Sequence, residues 1–327
     1  MELVKDMLAG DVLSLARLIT KVEGDGVEVP EVMKQVYPHL GKAYSIGITG
    51  PPGAGKSTVV DRLTAVMRQQ GFTVGIIAAD PTSPFTGGAV LGDRIRMQQH
   101  YLDDGVFIRS MATRGSHGGL PRSSSGVIKL LSAFGKDFVL VETVGVGQTE
   151  LDIMQNVDTT VVVLVPEAGD TIQTMKAGLF EIADIFAVNK ADRPGADNLV
   201  AELGMMVQLY SQQSWWQVPI LATEAINDVG TKELYEQIEK HHQALEESGR
   251  LSQRRQEQRR REFMETVERR VAGELLKLVE RDEELRRYMA MVEAGEVDPY
   301  SAADEVLRPG TFLASWSKQL AEKRPLD

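Results

Sequence analysis

The sequence of 327 residues contains no cysteine. It therefore has no disulfide bond, no thiolate metal ligand and no cysteine nucleophile, which fits a reducing compartment. Histidine is scarce as well, and the five histidines include no pair at the i, i+4 spacing that places two metal ligands on one helix face. A histidine metal site is not expected.

Long apolar runs and an excess of basic residues are also missing. No segment approaches the roughly 20 apolar residues that a membrane-spanning helix needs. The charged N-terminal residues Glu2, Lys5 and Asp6 do not fit a secretory signal. Lys and Arg number 36 against 47 Asp and Glu, a net charge of −11, which is a poor match to nucleic acid or anionic membranes. We expect a cytoplasmic protein that binds neither.

The hydrophobic pattern of the sequence changes twice along the chain. Leu15, Leu18, Ile19 and Val22 follow the spacing of one helix face and predict a helical layer packed on the main domain. Short apolar runs then alternate with helical stretches, which predicts an α/β domain with a mostly parallel sheet. The runs are Tyr44–Thr49, Thr73–Ala79, Val106–Ile108, Phe138–Val141, Thr160–Val165, Ile185–Val188 and Val218–Leu221. The predicted regions are an N-terminal helical extension (1–42), the α/β domain (43–247) and a C-terminal helical arm (248–327).

Two patterns mark the C-terminal arm. The basic residues Arg254, Arg255, Arg259, Arg260 and Arg261 cluster, and we interpret them as a solvated helix face. An apolar stripe at helical spacing follows, made of Phe263, Val267, Val271, Leu275 and Leu278/Val279. The stripe is either intramolecular core or a dimer surface.

The strongest motif is a phosphate-binding loop, G-x-x-x-x-G-K-[ST], which follows the first predicted strand and opens a helix. Its backbone N–H groups and the helix N-terminus attract phosphate oxygens. Lys56 is expected on the β- and γ-phosphates, and the Ser57 hydroxyl on Mg²⁺. The predicted phosphate-side residues are Gly50, Pro51, Pro52, Gly53, Ala54, Gly55, Lys56, Ser57 and Thr58.

Carboxylates end two further predicted strands. Glu142 stands where many nucleotide hydrolases carry an aspartate, and Gly145, three residues later, is a candidate γ-phosphate sensor. Asp80 is a candidate for the Mg²⁺ shell and opens a stretch rich in Pro, Gly and Ser that we interpret as a switch loop. Three arginines are candidates to neutralise transition-state charge: Arg94, Arg96 and Arg114.

The pattern N-K-x-D of GTP-binding proteins follows another predicted strand, as Asn189, Lys190 and Asp192. The Asp192 carboxylate can accept hydrogen bonds from guanine N1 and the exocyclic amine together. Adenine offers neither donor there, and a buried carboxylate left unpaired disfavours it. The motif predicts GTP in preference to ATP.

The combination of motifs resembles the MeaB/ArgK family of GTPase chaperones of adenosylcobalamin-dependent acyl-CoA mutases. The resemblance rests on the phosphate loop, on N-K-x-D, and on D-P-T-S-P-F-T-G-G (80–88) and E-T-V-G-V-G-Q (142–148). It continues into the C-terminal arm, including D-P-Y-S-A-A (298–303). It implies a homodimer joined through this arm, whose GTP cycle gates cofactor loading and protects or reactivates a mutase such as methylmalonyl-CoA mutase. It implies no cobalamin bound by this chain itself.

The resemblance also implies roles for individual residues. The Mg²⁺ and switch residues are Ser57, Asp80, Asp93 and Glu142, and the catalytic residues are Lys56, Asp93, Arg96 and Glu142. Gln148 is a candidate to orient the attacking water. The stretch Pro166–Lys176 matches a third switch, where Glu167 replaces the family's usual glycine. The guanine-side loop consists of Glu224, Ala225 and Ile226, where Glu224 replaces a serine and the Ala225 N–H is expected on guanine O6.

Two other functions remain open from the sequence. One is a GTPase that matures a metallocentre by delivering nickel or zinc, although such proteins usually carry Cys or His clusters. The other is a kinase that phosphorylates a transport protein.

Overall fold

The computed structural model describes residues 2–26, 28–41, 43–80, 97, 99–112, 121, 123–144, 153–166, 180–210, 215–279 and 282–308. The chain divides into two compact units, Met1–Gln258 and Arg259–Asp327. Each unit is described by itself below.

A seven-stranded sheet lies at the centre of the first unit, and every strand pairing in it is parallel. The strand order is β3-β2-β4-β1-β5-β6-β7. The strands are β1 (Tyr44–Thr49), β2 (Val74–Asp80), β3 (Val106–Ala112), β4 (Phe138–Glu142), β5 (Thr159–Leu164), β6 (Ile185–Asn189) and β7 (Ile220–Thr223). The predicted α/β class with a mostly parallel sheet is confirmed. The strands β1, β4, β5 and β6 are buried throughout, which explains why their sequences read as continuous apolar runs.

Helices cover both faces of the sheet. In the first unit these are α1 (Glu2–Leu8), α2 (Val12–Glu23), α3 (Val29–Val36), α4 (Lys56–Gln69), α5 (Ser124–Ala133), α6 (Ala196–Tyr210) and α7 (Thr231–Glu247). Helix α8 (Arg250–Val279) begins in the first unit and ends in the second, which also contains α9 (Glu283–Glu293) and α10 (Pro299–Leu307). Among the residues that the structure describes, no helix is long and apolar enough to cross a membrane.

Two apolar cores lie on opposite faces of the sheet. One packs α4, α6 and α7 against the strands, and the other packs α1, α2, α3 and α5. The predicted stripe on α2 is confirmed, because Leu15, Leu18, Ile19 and Val22 are all buried in the second core. Burial of each such side chain contributes about 1.5–3 kcal/mol. The N-terminal helices therefore form an integral layer of the first unit.

The start of α8 is bound to the amino edge of the sheet, where the strands begin. Arg255 donates from Nε and Nη2 to the two carboxylate oxygens of Asp158, both at 2.9 Å, and also from Nη2 to the carbonyl of Ala43. Asp158 in turn accepts from the backbone N–H and the hydroxyl of Ser45, each at 2.9 Å. Arg254 pairs with Asp184 at 3.1 Å.

The interpretation of the arginine run as a solvated face is therefore wrong for Arg254 and Arg255. It holds for Arg259 and Arg260, which are exposed on the next turn of α8. The sequence spacing alone does not distinguish Arg254 and Arg255 from the two exposed arginines. The acidic partners of Arg254 and Arg255 lie about 70 and 100 positions earlier in the chain.

The second unit presents exposed apolar side chains on the distal half of α8. Phe263 is 65% exposed, Val267 39% and Val271 44%, while Leu275 is partly buried. The Leu278 and Val279 side chains lie outside those that the structure describes. Among the described stripe residues, these three are therefore not buried within the second unit. Asp298 begins α10 by accepting from the backbone N–H groups of Tyr300 and Ser301, each at 3.0 Å.

Candidate functional site

The predicted nucleotide-binding residues converge on the carboxyl edge of the sheet. The phosphate loop follows β1, Glu142 ends β4, Asn189 ends β6, and the loop from Glu224 follows β7. Since all these strands are parallel, their last residues meet at one edge, which is where open α/β sheets bind ligands. The topology thus brings together motifs as far apart in the sequence as Gly50 and Glu224.

The phosphate loop has a backbone that only glycine accommodates at two positions. Gly50 has φ of 136°, and a Cβ there would lie 2.0 Å from the carbonyl oxygen of Val163. Gly55 has φ of 88° and precedes the first residue of α4, and its Cβ would lie 2.4 Å from Asn189 Nδ2. The loop is consequently pressed against β5 on one side and β6 on the other. The curled loop leads directly into the N-terminus of α4, which carries partial positive charge.

Lys56 is buried and arches back over the loop. Its ammonium group donates to the carbonyl oxygens of Gly50, at 2.9 Å, and Pro51, at 3.2 Å. These contacts keep the charge at the mouth of the loop. Its placement on the β- and γ-phosphates of a nucleotide stays a prediction.

Ser57 and Glu142 meet beside the start of α4. The Ser57 hydroxyl donates to Glu142 Oε1 at 2.7 Å, and both side chains are buried. Hydroxyl and carboxylate oxygens are the ligands that Mg²⁺ prefers. The two residues therefore fit a magnesium ion by the chemistry of their donors, and both are among the Mg²⁺ residues predicted from the sequence.

A buried pair of threonines links the phosphate loop to the segment after Glu142. Thr49, the last residue of β1, and Thr143 place their hydroxyl oxygens 2.9 Å apart, and the Thr143 N–H donates to the Ile48 carbonyl. The pair fixes the direction in which the chain leaves β4. Sequence reasoning did not single out either threonine, although Thr143 lies within the E-T-V-G motif.

Asn189 braces the two loops that flank it. Its Nδ2 donates to the Ala54 carbonyl of the phosphate loop at 2.8 Å. Its Oδ1 accepts from Thr223 Oγ1 at 3.3 Å and from the Ala225 N–H at 3.1 Å. The Ala225 N–H, expected on guanine O6, is therefore bound to Asn189 in this structure.

The remaining guanine-side residues are more open. Lys190 adopts a left-handed backbone, with φ of 57°, and its ammonium group donates to the Gly53 carbonyl at 2.8 Å. Asp192 is exposed, as its predicted contact with a base requires. Ile226 is 75% exposed beside Ala225. This arrangement leaves a carboxylate and an apolar side chain at the rim of the site.

Comparison with known proteins assigns this site to a family. A family model described as the methylmalonyl-CoA mutase-associated GTPase MeaB matches residues 15–280. The chain belongs to the MeaB family. This confirms the resemblance drawn from the motifs, and with it the activity: the chain is a P-loop GTPase that hydrolyses GTP.

Two relatives and one solved structure span most of the chain. A Pyrococcus abyssi protein, named provisionally as a GTPase, is 50% identical over 311 residues, which are 94% of this chain and 95% of the relative. The mouse methylmalonic aciduria type A homolog, mitochondrial, is 31% identical over 269 residues, 81% of this chain and 65% of the relative. A crystal structure described as a LAO/AO transport system kinase matches with a TM-score of 0.66 and 26% identity over 93% of this chain and 95% of that one.

Several residues that we predicted for the site of this MeaB-family GTPase lie outside the described residues. They are Asp93, Arg94, Arg96, Arg114, Gly145 and Gln148, together with the third switch after Pro166 and the side chain of Asp80. Of the predicted phosphate-side residues, Pro52 is exposed and Thr58 is partly buried. The structure therefore brings together the phosphate loop, Ser57, Glu142 and the guanine-side residues.

Proposed function

We propose that this GTPase is a chaperone of an adenosylcobalamin-dependent acyl-CoA mutase, methylmalonyl-CoA mutase or a close relative. Its GTP cycle gates loading of the cofactor and protects or reactivates the mutase. The observation that carries the proposal is the match of the mutase-associated family across residues 15–280. The mouse relative, whose name refers to methylmalonic aciduria, supports the same partner class.

We propose the following roles in hydrolysis. Ser57 and Glu142 hold Mg²⁺ with Asp80 and Asp93, and the ion neutralises charge on the β- and γ-phosphates when it is bound. Lys56 leaves the carbonyls of the phosphate loop and donates to the phosphate oxygens. The Lys56 ammonium group already lies at the loop expected to hold the phosphates, so this exchange needs only a short movement of its side chain.

The guanine-side roles follow the same logic. Asp192 accepts from the base, and Lys190 keeps the phosphate loop in register through Gly53. Asn189 joins the phosphate loop to the guanine-side loop through its bonds to Ala54 and Ala225. Arg96 neutralises charge in the transition state.

We further propose that the protein is a homodimer joined through the helical arm 248–327. The exposed side chains of Phe263, Val267 and Val271 support this, because apolar stripes at helical spacing are commonly buried by a partner helix. The N-terminal extension (1–42) and the GTPase domain (43–247) would form the catalytic body. Sedimentation of the full chain, compared with a variant carrying Phe263→Glu and Val271→Glu, tests the dimer.

The experiment that tests the chaperone proposal is GTP hydrolysis by the full chain, alone and with excess methylmalonyl-CoA mutase. Slow intrinsic turnover, accelerated severalfold or more by the mutase, is the expected result, since GTPases of this class are commonly timed by partners. An unrelated acyl-CoA enzyme without cobalamin serves as the control. Fast turnover without a partner would contradict the proposal.

A second candidate is a protein kinase of a transport system. The observation that favours it is the solved structure described as a LAO/AO transport system kinase, which covers 93% of this chain. The two functions differ in the fate of the γ-phosphate. Transfer of radiolabel from γ-labelled GTP or ATP to a periplasmic binding protein would support the kinase, whereas free phosphate alone supports the GTPase chaperone.

A further inference from the structure

We propose that Asp61 and His100 form a positioning pair for GTP hydrolysis. The pair holds the chain that follows Asp93 and Arg96 against α4, one turn beyond Ser57. The inference rests on the roles proposed above for Asp93 and Arg96. Neither Asp61 nor His100 belongs to the motifs that identify the family.

The pair is buried and its contacts are specific. Asp61 is 7% exposed and His100 is 7% exposed. His100 Nε2 lies 3.1 Å from the Asp61 carbonyl oxygen and 3.3 Å from Asp61 Oδ1, while Gln99 Nε2 donates to Asp61 Oδ2. One residue of α4 thus contacts two consecutive residues of the incoming chain, through hydrogen bonds at its carbonyl oxygen and Oδ2 and an ion-pair contact at Oδ1.

The position of Asp61 connects the pair to the site. Asp61 follows Ser57 by four residues on α4, which places it about 6 Å along the helix axis on the same side. His100 follows Arg96 by the same number of residues. The contact therefore joins the helix that carries a proposed Mg²⁺ ligand to the chain just after the proposed catalytic arginine.

The same stretch has other contacts that hold it on the protein. Met97 is fully buried in the core that contains α4, and Asp103 accepts two hydrogen bonds from Arg68, each at 2.8 Å. A buried ion pair contributes little net stability, because the cost of removing its charges from water offsets their attraction. Placement of the adjacent chain is the role that the Asp61–His100 contact adds to these anchors.

The charge of His100 offers a readout that packing alone would not give. Burial lowers the pKa of His100, but its hydrogen bonds to Asp61 and the charge of that carboxylate outweigh burial and raise it above 6.5. Among the residues that the structure describes, the other charged groups near the pair are Arg62, whose Nε lies 3.9 Å from Asp61 Oδ2, and Asp103. A charged His100 completes the pair, and deprotonation at higher pH weakens it.

The test is single-turnover GTP hydrolysis by the full chain with Mg²⁺, which separates the chemical step from GDP release. Asp61→Asn and His100→Gln are each expected to slow the step by about ten- to a hundredfold, the order of magnitude that a misplaced catalytic group costs. GTP affinity should change by no more than about twofold. His39→Gln, at an exposed histidine, is the matched control and keeps the rate of the unmodified chain.

Two further measurements distinguish positioning from stability. The rate of the unmodified chain should fall as the pH rises through the raised pKa of His100, and His100→Gln should lose that dependence. Arg68→Met removes an anchor two turns farther from Ser57, so it should lower the melting temperature with less effect on the rate. Gln99→Met, at an exposed residue, should give a smaller slowing and replaces Asp61→Asn if that variant does not fold.

Three results would overturn the proposal. In folded variants these are an unchanged single-turnover rate, a loss confined to GTP affinity or GDP release, and equal slowing by Arg68→Met. The first would separate this inference from the proposed function, because stimulation by a mutase could still be observed.

Discussion

The two edges of the sheet both carry polar clusters, but their polar atoms are arranged differently. At the amino edge, Asp158 uses both carboxylate oxygens on Ser45 and Arg255, within hydrogen bonds of 2.9 Å. At the carboxyl edge, Asp192 is exposed and the Lys56 ammonium group rests on carbonyls of its own loop. In the first cluster, the carboxylate oxygens are bonded to other groups of the protein. The second presents groups that match a phosphate and a base.

The comparison shows that burial and charge do not by themselves identify a functional site. The amino edge contains the buried carboxylate of Asp158 and the buried ring of His241. Asp158 pairs with Arg255 at the start of α8, and His241 is linked through Thr159 to Tyr44. What distinguishes the carboxyl edge is loop backbone at positive φ, at Gly50 and Gly55, next to a helix N-terminus. Substitutions at the two edges should therefore separate activity from stability.

The largest effect is expected from Lys56→Met. Removing the charge that stabilises the transferring phosphoryl group should lower GTP hydrolysis by about 10³-fold or more. The melting temperature should change little, because methionine has a similar length and the bonds to Gly50 and Pro51 stay within one loop. Hydrolysis of GTP and thermal unfolding, measured on the same preparation, check the prediction.

The matched control for this variant is Lys232→Met, at an exposed lysine on α7. It should keep both the rate and the melting temperature of the unmodified chain. A Lys56→Met variant that retains more than a tenth of the activity would contradict the role proposed for this lysine.

The second-largest effect is expected at the amino edge, where a substitution should lower stability and leave activity nearly unchanged. Arg255→Met leaves the carboxylate of Asp158 buried without its ionic partner and should destabilise the protein by about 3 kcal/mol. The hydrolysis rate per folded molecule should stay within about twofold, since the nucleotide loops lie at the other edge. Urea unfolding and activity at low temperature measure the two quantities.

Arg259→Met is the control, because Arg259 is exposed one turn farther along the same helix. Its unfolding free energy should change by less than about 0.5 kcal/mol. Equal destabilisation by both substitutions would mean that the helix, and not the pair with Asp158, supplies the stability.

The smallest effect concerns His241 at the amino edge. This histidine is fully buried, with Nδ1 2.8 Å from Thr159 Oγ1 and its ring 4.8 Å from that of Trp216. Burial lowers its pKa and outweighs the attraction of Asp184. The unfolded chain therefore binds a proton that the folded chain resists, and stability falls as the pH drops below about 6.5, the ordinary histidine value.

His241→Gln should cost about 1–2 kcal/mol at pH 8 through lost packing. The difference from the unmodified chain should shrink on acidification, because the variant has no such proton to bind. Unfolding free energies of the variant and the unmodified chain, measured at several pH values, check this. His39→Gln, at an exposed histidine, is the control. A gap that widens at low pH would show that His241 is charged in the folded protein.

Much of the site was predictable because its residue types serve a fixed chemistry at fixed spacing. The phosphate loop and N-K-x-D each lie within a few consecutive residues, and strand placement followed from continuous apolar runs. The Asp61–His100 contact, the Thr49–Thr143 pair and the arginine anchors were not predictable. Each joins residues between about 40 and 100 positions apart, and nothing local in either partner's sequence indicates the other.

The sequence by itself determined the class of the fold, the nucleotide and the family, because parallel buried strands and phosphate-binding loops leave local patterns that survive without coordinates. The tertiary structure alone decided how the strands are ordered and which charged residues are closed into anchors. It also showed that the Ala225 N–H belongs to Asn189 and that Phe263, Val267 and Val271 stay exposed. These outcomes depend on which distant elements the fold brings together, because the neighbours of a charged group set its electrostatic energy.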